Sequence, residues 1–235
     1  MADALAWLGL AGLRWGPPDD AACNALLRSA GGVNHGSVAT PGAVGEKGPP
    51  GFVSDYYAAR VGSGARDYDA AVAAVRAWAH ADALPWVRTN RVGQRRGARA
   101  VIAAAALGPV GPVPLWSANP LAVTAAGAAR GAPAFARGAP RVSARPPRDA
   151  PGRTYAVTLT TLAPHTLAGA ETFAVHEVAG TGEVWYAVAS FSRPATLVSL
   201  LTYPLVRGLQ AAFRAGSAAA VEAEVGKRRQ ERGGR

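Results

Sequence analysis

Cysteine is almost absent. Cys23 is the single one in 235 residues, which excludes an internal disulfide and leaves no argument for secretion. Histidine is nearly as scarce, and the four residues at 35, 80, 165 and 176 have no metal-ligand spacing. His176-Glu177 opens like the zinc-protease motif, yet Val178-Ala179-Gly180 follows and supplies no second histidine, so no metal is expected. Long apolar runs are missing too. No stretch of about 18 apolar residues exists, and no spanning helix is expected. Aromatics make up 7% of the chain and are not interleaved with its basic residues, as a surface that stacks single-stranded nucleic acid requires. The pair Gly62-Ser63-Gly64 lacks the third glycine of a dinucleotide loop and no Gly-Lys-Ser/Thr occurs, so no nucleotide cofactor, nor any other, is expected. The serines lie in no nucleophile elbow, and Cys23 has no base near it in sequence, so covalent catalysis has little support.

What is present suits one large domain with a core. The apolar fraction is 49%, much of it alanine. The apolar opening Ala4 to Leu13 follows an aspartate rather than basic residues, which argues against a signal peptide. The net charge of +10 is concentrated in Arg130, Arg137, Arg141, Arg145, Arg148 and Arg153, and in Lys227, Arg228, Arg229, Arg232 and Arg235. Both groups fall in segments without apolar periodicity. The charge reads as solvated surface, and nucleic acid is not the expected partner.

Pro17-Pro18-Asp19 starts a short helix over Ala21 to Ala30, which Gly31-Gly32 stops. His35 to Gly51 follows as a flexible loop whose glycine at every third residue imitates collagen for too few triplets to form it. Asp55 to Val61 reads as a strand, and Asp67 as the cap of a helix that Pro85 ends. Strands are expected at Trp86 to Val92, Ala98 to Leu107, Leu115 to Ala125, Thr154 to Leu162, Glu171 to Ala179 and Gly182 to Ser192. Between Gly127 and Gly152 the chain is Ala, Gly, Pro and Arg without period, and it reads as a mobile insertion. The last strand alternates Trp185, Ala187, Ala189 and Phe191 with Tyr186 and Val188, as in a strand covered on both faces. Leu197, Leu201, Leu205, Leu209 and Phe213 recur every four residues along a closing helix, with Arg207, Gln210 and Arg214 expected on its solvent side. Pro204 should bend that helix near Leu200 and Leu201, and past Val225 the chain should fray.

This order predicts an α+β fold, a curved antiparallel β-sheet wrapped on a long C-terminal helix in the helix-grip, START-like manner. Residues 1–50 form an N-terminal helix and flexible loop, 51–225 the helix-grip domain with its insertion at 127–153, and 226–235 a basic tail. The small residues Ala156, Ala174, Ala187 and Ala189 are expected to leave ligand space between sheet and helix.

Val61 to Tyr68, Ala163 to Phe173, Gly182-Glu-Val-Trp-Tyr186, Phe191-Ser-Arg-Pro194 and Tyr203-Pro-Leu-Val-Arg207 resemble the plant and bacterial domain of unknown function nineteen-ninety. The early Arg14-Trp15-Gly16 resembles the start of its plant-type members. That family is similar to the Bet v 1 and START-like superfamily, whose members hold lipids, sterols, hormones or polyketides in a central cavity. The resemblance brings no established activity. Two departures are visible: Ala170 stands at one of two positions where the family carries acids, and Thr160-Thr161-Leu162 replaces Gly-Thr-Leu. The first argues against chemistry by a carboxylate pair.

The expected function is therefore non-enzymatic binding of a small hydrophobic or lipid-like ligand, with His165, Glu171, Trp185, Tyr186, Phe191, Arg193 and Tyr203 as ligand-binding candidates. An enzyme on the same fold, a cyclase or hydrolase using His165 as base and Glu171 to orient it, is the first alternative. A module docking on anionic lipid or nucleic acid through the basic segments is the second. The expected compartment is the cytoplasm, with plastid association the alternative for a plant-type member.

Overall fold

Two glycines close the hairpin on which the sheet is built. Gly180 and Gly182 take φ values of 87° and 69°, a left-handed region open to them because they lack Cβ. They join β7 (Leu167–Val178) to β8 (Glu183–Pro194), paired from Leu167↔Pro194 to Glu177↔Val184. The structure is a computed structural model and describes residues 12–36, 49–111, 114–130 and 151–234. Most of the expected loop from His35 to Gly51 and most of the expected insertion from Gly127 to Gly152 lie outside those residues.

The remaining strands are β1 (Leu13–Trp15), β2 (Val53–Ser63), β3 (Val87–Thr89), β4 (Arg99–Ala105), β5 (Leu115–Arg130) and β6 (Gly152–Thr161). Their order is β2-β8-β7-β6-β5-β4-β3, every neighbour antiparallel, with β1 pairing the start of β5. The run from β3 to β8 is a meander in chain order, and only β2 is displaced, to the edge beside β8. The helices are α1 (Asp20–Ser29), α2 (Ala65–Arg76), α3 (Ala79–Asp82), α4 (Leu197–Leu201) and α5 (Tyr203–Gly233). The sheet curls around α5, which gives the expected helix-grip α+β class.

The main core lies between the curled sheet, α2 and α5. Phe173, Val175, Tyr186 and Val188 of the sheet meet Tyr68, Val72 and Val75 of α2 and Ala218, Val221 and Val225 of α5. Phe173 and Tyr186 are fully buried, each contributing roughly 2 to 3 kcal/mol of hydrophobic stabilisation. The alternate residues of the same strands, Trp185, Ala187, Ala189 and Phe191, form a second buried cluster with Ala58, Ala156, Ala174 and Phe52 on the opposite face. The last strand is thus buried on both faces, as its composition predicts. The small residues Ala156, Ala174, Ala187 and Ala189, however, face away from α5. They do not open the space beneath it.

Several boundaries differ from expectation. Asp67 does not cap α2, which starts at Ala65 with Gly64 as its N-cap. Its carboxylate instead accepts from the Ser63 N–H at 2.8 Å and from Arg229 Nε at 3.0 Å. That approach needs glycine at 62, where a Cβ would stand 2.7 Å from Asp67 Cβ. The expected single helix to Leu84 breaks at Trp78, whose φ is +62° and whose indole N–H donates to the Val92 carbonyl at 2.7 Å. The closing helix breaks at Thr202 between α4 and α5, with Pro204 in the first turn of α5, where a missing N–H costs nothing. Beyond Val225 the chain does not fray: α5 continues to Gly233, and the Arg229 pair with Asp67 secures its last turns.

The face that α5 presents is also different. Leu200, Leu201 and Leu205 are exposed, whereas Arg214 is buried and Arg207 is part-buried. A spacing of four residues advances about 40° more than a full turn at 3.6 residues per turn. The leucine series therefore drifts around the helix, from solvent at Leu205 toward the sheet at Phe213. The residues that follow the true helical period, Gln210, Arg214, Ser217, Val221 and Val225, are the ones that face inward.

Candidate functional site

A cavity of about 180 Å³ lies between the curled sheet and α5, among Leu121, Leu159, Gly169, Glu171, Ser190 and Phe213, with Trp86, Ile102, Leu209 and Gln210 also on its walls. Strand register explains its position. Glu171 of β7 pairs Ser190 of β8, which pairs Asp55 of β2, and two residues further along the row is Gly169 and Ser192. Where neighbouring rows carry Phe173 and Val188, these two rows carry glycine, serine and one carboxylate. The sheet surface is lowered there, and α5 spans the gap.

The helix is held over the gap by a polar clamp. Arg207 donates through Nη1 to Asp55 Oδ2 and through Nη2 to Oδ1, both at 2.5 Å, in the planar two-pronged geometry that suits guanidinium and carboxylate. Arg207 Nη1 also reaches Gln210 Oε1 at 2.9 Å, and Gln210 Nε2 donates to Ser192 Oγ at 3.1 Å. Arg214 Nη2 lies 3.4 Å from Asp55 Oδ1. The two arginines expected on the solvent face are the ties between α5 and the sheet.

Glu171 is the cavity's ionisable wall. Burial pushes its carboxyl up to about 7, with the Arg214 cation opposing and the Asp55 carboxylate adding to the rise. His165 lies in the β6–β7 turn, which contains a cis Ala163–Pro164 peptide. Its Nδ1 accepts from the Leu167 N–H at 2.9 Å, which assigns its proton to Nε2. Burial pushes this imidazole down to about 3, so it is neutral at physiological pH. Ser190 is 4% exposed and its Oγ has no hydrogen-bond partner, as is also true of Arg214 Nη1.

Of the candidates read from the sequence, His165, Glu171 and Phe191 border this cavity. Phe191 also packs edge-on against His35 and Phe52. Trp185, Tyr186, Arg193 and Tyr203 are not among the lining residues. Trp185 is in the outer cluster; Tyr186 is in the main core with its hydroxyl 2.5 Å from Ser217 Oγ. Arg193 is exposed with its guanidinium 4.7 Å from the Phe52 ring centre, a cation–π contact on the outer face. Tyr203 sits at the start of α5 with its hydroxyl buried and without a partner. Sequence reading missed Ser190, Ser192, Gly169, Leu209 and Gln210. The signal for three of them was small residues at alternate positions of adjacent strands, Gly169 in one and Ser190 with Ser192 in the next, which thin one face of a sheet locally. Among the described residues no three His, Cys, Asp or Glu side chains gather as a metal site would need, and no helix is long and apolar enough to cross a membrane.

A curled antiparallel sheet gripping one long helix over a part-polar cavity defines a helix-grip α+β protein. The chain belongs to the family described as Domain of unknown function (DUF1990), which its sequence matches over residues 37–220. It is 49% identical over 61 residues to a UPF0548 protein of Arabidopsis thaliana, an alignment spanning 26% of this chain and 29% of that relative. Among solved structures it is similar to Ara h 8.0201, with 13% identity and a TM-score of 0.36 over 74% of this chain and 98% of that one. It is similar also to a Thalictrum norcoclaurine synthase, with 12% identity and a TM-score of 0.40 over 76% and 96% of the respective chains. A hypothetical protein of Helicobacter pylori gives 11% identity and a TM-score of 0.40 over 81% and 95%.

Proposed function

We propose that this protein binds a small hydrophobic molecule in the cavity between the sheet and α5. The observation that carries the reading is a gap with largely apolar walls, bridged by a helix whose attachment beside it is polar rather than close-packed. A cavity of about 180 Å³ with largely apolar walls suits an apolar occupant, which removes those walls from water. The volume limits that occupant. Sites for drug-sized ligands measure roughly 300–1,000 Å³, so a sterol does not fit unless α5 moves, whereas a short apolar molecule does. Trp185, Tyr186, Arg193, Tyr203 and the Phe191 ring, which packs in the outer cluster, would then support the site from outside it, and His165 and Glu171 would meet the ligand.

Thermal-shift measurements with a panel of short apolar molecules test the reading, using wild type and Ala104→Phe, which places a ring in the cavity wall. A stabilising shift in wild type that the variant loses supports it. No shift across the panel in wild type counts against it. A second reading, an enzyme using the same site, is favoured by one observation, the raised carboxyl of Glu171 inside a cavity. It expects a turned-over product, rather than the intact molecule, to be released from the protein.

A further inference from the structure

Most polar groups in the cavity wall are already partnered within the protein. Asn119, Thr161, Ser192 and Gln210 have protein partners: Asn119 Oδ1 accepts from Thr166, Thr161 Oγ1 donates to Asn34, and Gln210 donates to Ser192. Three groups are left. The Ser190 hydroxyl is buried and unpartnered, and neither the His165 Nε2–H nor the Glu171 carboxyl has a hydrogen-bond partner among the described residues. In their neutral forms each offers a proton. These three can all donate to a ligand that brings acceptor oxygens.

Charge narrows the choice. The groups facing Glu171 are Ser190 and Asp55 on the adjoining strands, Arg207, Gln210 and Arg214 on α5, His165 in the β6–β7 turn and Tyr186 beside it. Asp55 engages both arginines, and Arg214 retains a buried Nη1 with no partner. With Glu171 carrying its proton, two guanidinium cations face one carboxylate. One further negative charge balances the site, supplied by Glu171 itself when it ionises or by an anionic ligand beside the protonated acid.

We propose that the cavity takes a short apolar monocarboxylate, whose two oxygens accept from the Glu171 acid proton and the Ser190 hydroxyl while its hydrocarbon tail lies along Leu121, Leu159 and Phe213. This rests on the ligand-cavity reading above and names the chemical class it leaves open. The ligand carboxylate and Glu171 share one proton, as two carboxyl groups in one desolvated site must. When Glu171 is ionised, binding takes up one proton from solvent. The cavity holds about six water-sized groups at roughly 30 Å³ each, which sets the acid at about four to eight carbons.

Isothermal titration with hexanoate and with 1-hexanol, from about pH 6 to about pH 9, tests this. Hexanoate stays ionised throughout, so any pH dependence is the protein's. Hexanoate is expected to bind at least tenfold more tightly than hexanol at pH 6, and to lose about tenfold per pH unit above about 7 as one proton must be taken up. Glu171→Gln keeps a donor and should abolish the pH dependence while retaining the preference for hexanoate. Ser190→Ala should weaken hexanoate several-fold and leave hexanol unchanged. Hexanol binding as tightly as hexanoate, or wild-type affinity that is flat with pH, overturns the carboxylate proposal and leaves the cavity reading standing. Binding of neither compound overturns both.

Discussion

Glu171 and His80 load the folded state with opposite dependences on pH. Glu171 is held at about 7, above its ordinary 4.5, by burial first of all, so the stability it contributes is present below about pH 4.5 and is lost as pH rises through 7. Glu171→Gln should therefore leave stability near pH 4 almost unchanged and raise it at pH 8 by about 3 kcal/mol, read by denaturant titration at both pH values. His80 is the reverse. It is fully buried, its ring 4.6 Å from Phe173 and 5.8 Å from Trp78, and neither ring nitrogen has a hydrogen-bond partner. Burial takes it down to about 4 from 6.5, so its contribution is present above pH 6.5 and is lost as pH falls through 4. His80→Phe should be at least as stable at pH 7, because it removes two unpartnered polar atoms from an apolar cluster. Between pH 6.5 and 4 it should also lose about 3 kcal/mol less than wild type. Neither residue's state was legible in the sequence. Glu171 was a site candidate by its place beside His165, but its raised carboxyl and the burial of the histidine in Trp78-Ala79-His80-Ala81 follow only from the sheet register and the break at Trp78.

At the scale of elements, α5 is attached at two points of different chemistry. Near its start the attachment is the Asp55–Arg207 clamp, and near its end it is Arg229 with the buried Asp67. Arg207→Ala removes one partner of a part-buried pair and leaves the Asp55 carboxylate with Arg214 alone. It should cost about 2 to 3 kcal/mol and speed hydrogen exchange of the amides of Leu205 to Phe213 more than those of Val221 to Val225. Uniform exchange along α5 would argue that the clamp does not hold the helix over the cavity. Arg229→Ala leaves Asp67 with only the Ser63 N–H. Its effect should diminish as pH falls into the carboxylate range, because Arg229 holds Asp67 below its ordinary value. The strands were legible from alternation and the turns from glycine, and the antiparallel meander followed from their adjacency. The facing of α5 was misread. Its leucines recur every four residues, which resembles a helical stripe but drifts off it, whereas the inward row from Gln210 to Val225 keeps the 3.6 period through alanine, serine and arginine that do not look like a core.

Over the whole molecule, the DUF1990 chain is a curled sheet filled by two helical layers at one end and left open at the other. The filled end carries Phe173, Tyr186, Val221 and Val225, and the open end carries Gly169, Ser190 and Ser192 under Leu209 and Phe213. A fold stabilised mainly at one end would keep its shape if the other admitted the proposed ligand. Gly169→Ala tests how closely the open end depends on backbone approach, since a Cβ there would stand 2.0 Å from the Phe191 carbonyl oxygen. It should shift β7 against β8, lower the melting temperature and abolish ligand-induced stabilisation. The central claim is that the gap holds a small apolar molecule, and native mass spectrometry of the protein purified from its own cells, followed by denaturation, tests it most directly. The account expects a stoichiometric adduct of low mass that denaturation releases as an intact apolar molecule. A clean mass of the chain alone, under conditions gentle enough to preserve noncovalent complexes, would contradict it.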